Sequence, residues 1–288
     1  MLLSHVTLLR GSPAPIPRDD SAVGARLQDA TFGLATRHPE LSAATGANRW
    51  QRTAFAGLAA LLIGGWCLRL DAMTTLAAAL LMGTFLCIVA VRCLVLWSVM
   101  RPAPGKTGDD NRLADDDLPT YSVLVPLYGE TAVVPQLVRG LAALDYPSEK
   151  LQILFICEAS DAPTLAALRR AALTAAMQVV AVPEGRPRTK PRALNYALSA
   201  ATGELVVVFD AEDEPEPDQL RRAVAAFRAG PETLGCLQGQ LKIYNAGHGW
   251  LTRQFAIEYA ALFGFILPAL ERFGLPITLG GTSNHFPE

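Results

Sequence analysis

Residues 204–214 read ELVVVFDAEDE: five apolar residues from Leu205 to Phe209, then four carboxylates within five positions. A short apolar run rich in β-branched residues and bounded by polar ones reads as a strand. It lacks the alternation of a half-exposed strand, so both of its faces are covered, as in parallel sheets flanked by helices. Outward from this point the pattern repeats. Residues 121–126 (YSVLVP), 151–157 (LQILFIC) and 178–182 are further strands. Helical spacing fills 131–144, 162 to about 176, 191–200 and 216–229 between them. Strands alternating with helices define an α/β domain with a mostly parallel sheet and helices on both faces.

Ligands of such sheets bind outside the carboxyl ends of the strands. That rule selects four loops: 126–130, 158–161, the stretch before Lys190, and 210–213. The last carries Asp210, Glu212, Asp213 and Glu214. Like charges this close repel, and a cation relieves them. Hard divalent ions take carboxylate oxygens, and Mg²⁺ uses one or two plus substrate phosphates. An acidic loop that merely caps the following helix is the other reading of these four residues. Residues 185–192 (GRPRTKPR) place Arg186, Arg188, Lys190 and Arg192 before a helix. Cations beside free helix N–H groups suit a diphosphate, and an exposed basic turn is the alternative. Glu158 and Asp161 could accept hydrogen bonds from a base or ribose.

In order along the chain, VPLYGE at 125–130, EASD at 158–161, KPRALN at 190–195, DAED at 210–213 and LGGTSNHF at 279–286 resemble a family 2 glycosyltransferase. The membrane-embedded, cellulose-synthase-like branch is the most similar. The resemblance covers residues 119–286. It implies a GT-A fold, a nucleoside-diphosphate sugar donor, usually UDP-linked, and a Mg²⁺ or Mn²⁺ ion. It further implies an inverting transfer that extends a polysaccharide or glycan, with a glycan or a lipid-linked acceptor. Matched residue by residue, Pro126, Tyr128 and Glu130 border the nucleobase and ribose. Glu158 takes the place of the nucleotide-holding carboxylate, where many relatives have Asp. Lys190 and Arg192 face the diphosphate. Asp210 and Glu212 occupy the D-x-D positions with Asp213 adjacent; the resemblance implies that these three hold the metal and that Asp210 also contacts the donor. Gly281, Thr282 and Ser283 form the acceptor-side floor, with Asn284 and His285 beside it; a structural, hydrogen-bonded histidine is the alternative for His285.

The chain is 288 residues long, 51% hydrophobic and only 18% charged, where soluble proteins carry about 25% charged residues. This excludes a disordered chain and argues against an ordinary soluble enzyme. A net charge of −2 gives no sign of a nucleic-acid partner. Residues 54–68 (AFAGLAALLIGGWCL) and 72–91 (AMTTLAAALLMGTFLCIVAV) are free of charge, and the second is long enough to cross a hydrocarbon core of about 30 Å. The first reaches across if Arg69 snorkels. They are expected to form a transmembrane helical hairpin within 53–100. Arg10, Arg18, Arg26, Arg37, Arg49 and Arg52 precede it, and Arg92, Arg101, Lys106 and Arg112 lie at or beyond its end. The positive-inside rule then places both termini in the cytoplasm, with the protein in the cytoplasmic membrane. Residues 1–52 read as a tail with one short helix near 22–36, 101–118 as a solvated acidic linker, and 119–288 as the GT-A domain. The apolar segment 255–267 (FAIEYAALFGFIL) precedes Pro268, and its uncharged stretch from Tyr259 is nine residues. That is too short to span and predicts an interfacial helix on membrane lipid. Five cysteines without paired spacing read as buried thiols.

Family relatives continue with an acidic pair that contains the catalytic base, and with a Q-x-x-R-W motif. No Q-x-x-R-W occurs in these 288 residues, and no acidic pair follows the LGGTSNHF stretch at 279–286, after which the sequence closes on Pro287-Glu288. The reading is therefore a transferase fragment whose donor half-site is complete and whose base lies elsewhere. A non-catalytic, nucleotide-sugar-binding membrane protein is the alternative.

Overall fold

Side chains of β1 (Tyr121–Leu127) alternate between two apolar layers, which explains why its sequence is apolar but for Ser122. Tyr121, Val123, Val125 and Leu127 enter one core with Ile153, Phe155, Val207 and Phe209. Leu124 enters the other with Leu154, Ile156, Val180 and Val206. The computed structural model describes residues 20–68, 71–100 and 113–287. These fall into two units, one formed by 20–33, 113–240 and 279–287, the other by 34–68, 71–100 and 241–278.

The helices in chain order are α1 (Asp20–Arg37), α2 (Arg49–Cys67), α3 (Asp71–Met100), α4 (Val134–Ala142), α5 (Ala162–Arg170), α6 (Lys190–Leu198), α7 (Gln219–Ala229), α8 (Trp250–Ala261) and α9 (Leu267–Arg272). The first unit is built on a six-stranded sheet. Beside β1 stand β2 (Leu151–Glu158), β3 (Met177–Val182), β4 (Leu205–Val208), β5 (Leu237–Gln238) and β6 (Asn284–Pro287), in the order β3-β2-β1-β4-β6-β5. The first four run parallel, and β6 is antiparallel to both β4 and β5. Helices α4 and α7 cover one face through Leu137, Leu141, Leu220 and Val224. Helix α6 covers the other through Ala193, Tyr196 and Ala197, joined by Ala30 of α1. This is the α/β arrangement, a mostly parallel sheet with helices on both faces, expected from the strand pattern.

Several boundaries differ from the sequence reading. The helix expected to reach 176 stops at Arg170, where Ala171 turns extended (ψ 150°). Residues 101–112 of the expected linker, and 1–19 of the tail, lie outside the described residues. The end of that linker is docked rather than solvated. The Lys150 ammonium donates to the carbonyls of Asp115 (2.9 Å), Asp116 (2.7 Å) and Leu118 (2.8 Å). Arg221 pairs with the Asp115 carboxylate at 2.6 Å. Strands β5 and β6 were not foreseen.

In the second unit, Asn48 and Gln51 close a reciprocal capping box at the start of α2 with two 2.8 Å bonds;. Gly65 allows α2 to meet α3, since a Cβ there would stand 2.5 Å from Met73 Cγ. Arg272 of α9 donates to the Ser98 carbonyl of α3 at 3.3 Å. Among the described residues, two helical segments are long and apolar enough to cross a membrane. They are Asp71–Ser98, 28 residues of mean hydropathy 2.4, and Trp250–Arg272, 23 residues of mean hydropathy 1.2. The first run of the expected hairpin lies in α2, which opens with Arg49 and Arg52 and is not one of the two. The reading that Pro268 cuts the later segment short is corrected: helix continues through it. Pro268 sits at the start of α9, directly after a π-helical turn at Leu262–Ile266. The wider turn accommodates a ring that lacks an N–H and would clash with a regular preceding turn.

Candidate functional site

The acidic loop begins where β4 ends, and its backbone is tied down before any ligand is considered. The Asp210 N–H donates to Asp213 Oδ2 at 2.8 Å and to Thr282 Oγ1 at 3.0 Å. The Thr282 hydroxyl in turn donates to Asp213 Oδ2. Burial pushes the Asp213 carboxyl above its usual range against the hydrogen bonds from Thr282 and Asp210, and the neighbouring charges of Asp210 and Glu212 push the same way. Asp213 thus holds the loop, while Glu212 is exposed and the Asp210 carboxylate turns to Lys190.

The segment that brings Thr282 here is held by its backbone. Ser283 N–H donates to the Val208 carbonyl at 2.7 Å, and Ser283 occupies the left-handed region at φ 55°, unusual for a residue with a side chain. Helix α6 supplies the counter-charge. The Lys190 ammonium donates to Asp210 Oδ1 and, at 3.1 Å, to the Gly281 carbonyl. Thr189 caps the helix by accepting from Arg192 N–H at 3.4 Å. Lys190, Asp210, Asp213, Gly281 and Thr282, five of the expected site residues, therefore form one connected cluster.

The other expected residues sit elsewhere around it. Arg192 is 2% exposed and turns inward, its Nη2 donating to both oxygens of Glu158 at 2.6 Å. Asp161 accepts from Gly129 N–H at 2.6 Å and from Thr164 N–H at 3.3 Å. Burial opposes its ionisation, yet these bonds hold its carboxyl below the usual range. Gly129 lies at φ 71°, a conformation glycine adopts without a Cβ penalty. Tyr128 beside it is exposed, while Pro126 and Glu130 are half-buried.

His285 lies in the core. It is 2% exposed, with Nδ1 2.5 Å from the Tyr121 hydroxyl and Nε2 3.2 Å from Gln219 Nε2. With the amide donating to Nε2, the neutral ring carries its proton on Nδ1 and gives it to Tyr121. Its ring meets Tyr121 and Phe209 edge-to-face, and burial lowers its pKa to about 4. The expected acceptor floor thus divides: Gly281 and Thr282 join the acidic loop, Asn284 bonds back to the Gly280 carbonyl at 2.5 Å, and His285 packs inward. Sequence reasoning missed Gln219 as a neighbour of His285, and residues 26–30 of α1 as neighbours of α6. The apolar Leu27 and Ala30, three apart in a helical stretch, were the available signal for α1.

The donor set suits a divalent ion of the Mg²⁺ or Mn²⁺ type. Among the described residues no cluster of three His, Cys, Asp or Glu side chains could hold a metal by itself. Two carboxylates two residues apart match an ion that completes its shell with phosphate oxygens and water. The Lys190 ammonium, seated between Asp210 and the Gly281 carbonyl, marks a position that favours positive charge.

A parallel sheet with a lysine, paired acidic residues and a helix N-terminus at its carboxyl edge is the architecture of a GT-A domain. The chain belongs to the glycosyltransferase like family 2, whose model matches residues 119–281, and these residues are a glycosyltransferase domain. Beta-monoglucosyldiacylglycerol synthase of Synechocystis sp. is 32% identical over 158 residues, 54% of this chain and 32% of that protein. The probable glycosyltransferase YdaM of Bacillus subtilis is 27% identical over 144 residues, 49% of this chain and 34% of that one. Glucomannan 4-beta-mannosyltransferase 2 of Arabidopsis thaliana is 27% identical over 161 residues, 52% of this chain and 30% of that one. The match thus spans about a third of the length of these relatives. Among solved structures, the mannosyltransferase PcManGT of Pyrobaculum calidifontis, in complex with GDP-Man and Mn²⁺, superposes with a TM-score of 0.45 at 26% identity, covering 73% of this chain and 59% of that one.

Proposed function

We propose that the domain binds a nucleoside-diphosphate sugar, with UDP as the nucleotide. The protein transfers the sugar with inversion to a glycan or lipid-linked acceptor at the cytoplasmic membrane face. The observation that carries this reading is the convergence of Lys190, Asp210 and the Gly281 carbonyl at the carboxyl end of β4. Lys190 exchanges Asp210 for the donor diphosphate and stabilises the charge that develops as the sugar leaves. Asp213 and Thr282 hold the Asp210 backbone fixed while this happens, so that little reorganisation is needed at the reacting centre. Asp210 and Glu212 would hold Mg²⁺ or Mn²⁺, which when bound supplies further neutralisation of the leaving diphosphate. Arg192 keeps the Glu158 carboxylate in place at the nucleoside end, beside Pro126, Tyr128 and Glu130. Ser283 and His285 shape the acceptor side from below, His285 through its packing on Phe209. The acceptor hydroxyl must lose a proton as it attacks, and the family resemblance assigns that proton to an acidic pair.

The exposed apolar surfaces of Asp71–Ser98 and Trp250–Arg272 support a membrane location, and the arginines flanking 53–100 support cytoplasmic ends. The test is Mn²⁺-dependent binding of UDP-sugars by these 288 residues, followed by release of UDP to a lipid or glycan acceptor once the family's acidic-pair segment is supplied. Acceptor-dependent release supports transfer. Donor binding without release supports the non-catalytic reading instead.

A further inference from the structure

Among the described residues, three guanidinium nitrogens at or beside α6 are buried without a hydrogen-bond partner: Arg192 Nε and Nη1 in its first turn, and Nη1 of Arg26, which lies over Tyr196. Buried N–H groups of this kind are rare in folded proteins and call for an explanation. Arg192 is 2% exposed, and its pairing with Glu158 uses Nη2 alone. Leu27 of α1 approaches the same place. A Cβ on Gly185 would collide with Arg192 Nη1 and would stand 2.9 Å from Leu27 Cδ2, so the apolar end of Leu27 and the charged end of Arg192 close on the same point. Arg26 stacks over the Tyr196 ring at 5.5 Å. The Asn195 side chain donates to the Ala30 carbonyl at 3.0 Å, and Ala30 is buried in the core on this face. One stretch of α1 therefore lies along α6, over donors that have nothing to bond.

We propose that residues 20–33 of α1 are a strap over the nucleoside end of the donor site, and that donor binding and docking of this strap exclude one another. The inference rests on the donor-site reading above and concerns its regulation. In the strapped state Leu27 faces the free N–H groups of Arg192 and gives them no acceptor. With the strap lifted, those groups and the α6 amino end face oxygen acceptors of a nucleoside diphosphate, while Glu158 keeps Arg192 in position. Apparent donor affinity is then reduced by the fraction of molecules that are strapped. The strap lies outside the family domain, which begins at residue 119, so this control belongs to the chain and not to the fold.

The full chain in detergent micelles is titrated with UDP and Mn²⁺, and hydrogen exchange of peptides within 22–33 is followed in the same samples. UDP is expected to raise exchange over 22–33 several-fold. Asn195→Ala, which removes only the bond to Ala30, is expected to tighten UDP binding by about 3-fold. Leu27→Glu, which offers Arg192 a carboxylate from the strap, is expected to weaken UDP about 10-fold and to slow exchange over 22–33. If UDP binds while exchange over 22–33 is unchanged or slowed, and Asn195→Ala binds like wild type, the strap is overturned and the donor site stands. If UDP binds neither wild type nor Asn195→Ala, the donor-site reading falls and takes the strap with it.

Discussion

The ammonium of Lys190 rests on the carboxylate of Asp210, twenty residues further along the chain and at the end of the next strand. Each group is partly exposed, at 37% and 28%, so neither is committed to the core and both can turn to a ligand. The same ammonium reaches the Gly281 carbonyl, which links α6, the β4 loop and the approach to β6.

Lys190→Met removes the cation and leaves Asp210 and Glu212 as neighbouring negative charges facing the diphosphate. Charge-assisted hydrogen bonds contribute about 1.5–3 kcal/mol, so UDP affinity is expected to fall by about 10- to 100-fold. Lys190→Arg keeps the charge and should recover part of it. Calorimetric titration of both variants with UDP and Mn²⁺ checks this, and equal affinities across the set contradict it.

Glu158→Leu leaves the Arg192 guanidinium buried beside an apolar group. Breaking such a pair costs about 3–5 kcal/mol, while replacing both partners with apolar residues is often neutral. Glu158→Leu is therefore expected to lower the melting temperature by about 10 °C, and the Glu158→Leu, Arg192→Met double variant to regain most of it. A double variant less stable than the single one would count against the pairing.

Strands β1 to β4 were legible in the sequence because both of their faces are buried, which leaves unbroken apolar runs. Their carboxyl ends then pointed to the loops that hold Lys190 and Asp210. Strand β6 was not legible: Asn284 and His285 look like loop residues, and their partners Val207, Val208, Leu237 and Gln238 are far away in sequence. The same distance hid the inward turn of His285 toward Tyr121. For Arg192, its charge suggested a diphosphate, whereas only the packing of β2 against α6 reveals its bond to Glu158. Pro268 misled in the opposite direction, since a π-helical turn cannot be read from composition.

The buried His285 makes stability depend on pH. Its folded pKa of about 4 lies below the ordinary value of 6.5, so the unfolded chain binds the extra proton first. Stability is fully present above pH 6.5 and is lost as the pH falls toward 4. About 2 kcal/mol should disappear between pH 6.5 and 5. Thermal melts across that range are expected to show the loss in wild type and a smaller one in His285→Asn; identical slopes would contradict the assignment.

Thr282→Val deletes the hydroxyl that joins the Asp210 backbone to the Asp213 carboxylate. A buried acceptor left short of a partner costs about 1–3 kcal/mol, and the loop loses its fixed shape. Mn²⁺-dependent UDP binding is expected to weaken about 10-fold with little change in secondary structure by circular dichroism. Unchanged binding would show that the loop holds itself without Thr282.

Titration of UDP into the full chain with Mn²⁺ present, for wild type and Asp210→Asn side by side, tests the central claim most directly. The account predicts Mn²⁺-dependent binding by wild type and a loss of at least about 10-fold in Asp210→Asn, with the fold intact because the Asp210 side chain faces the loop and not the core. Equal binding by the two proteins would contradict it.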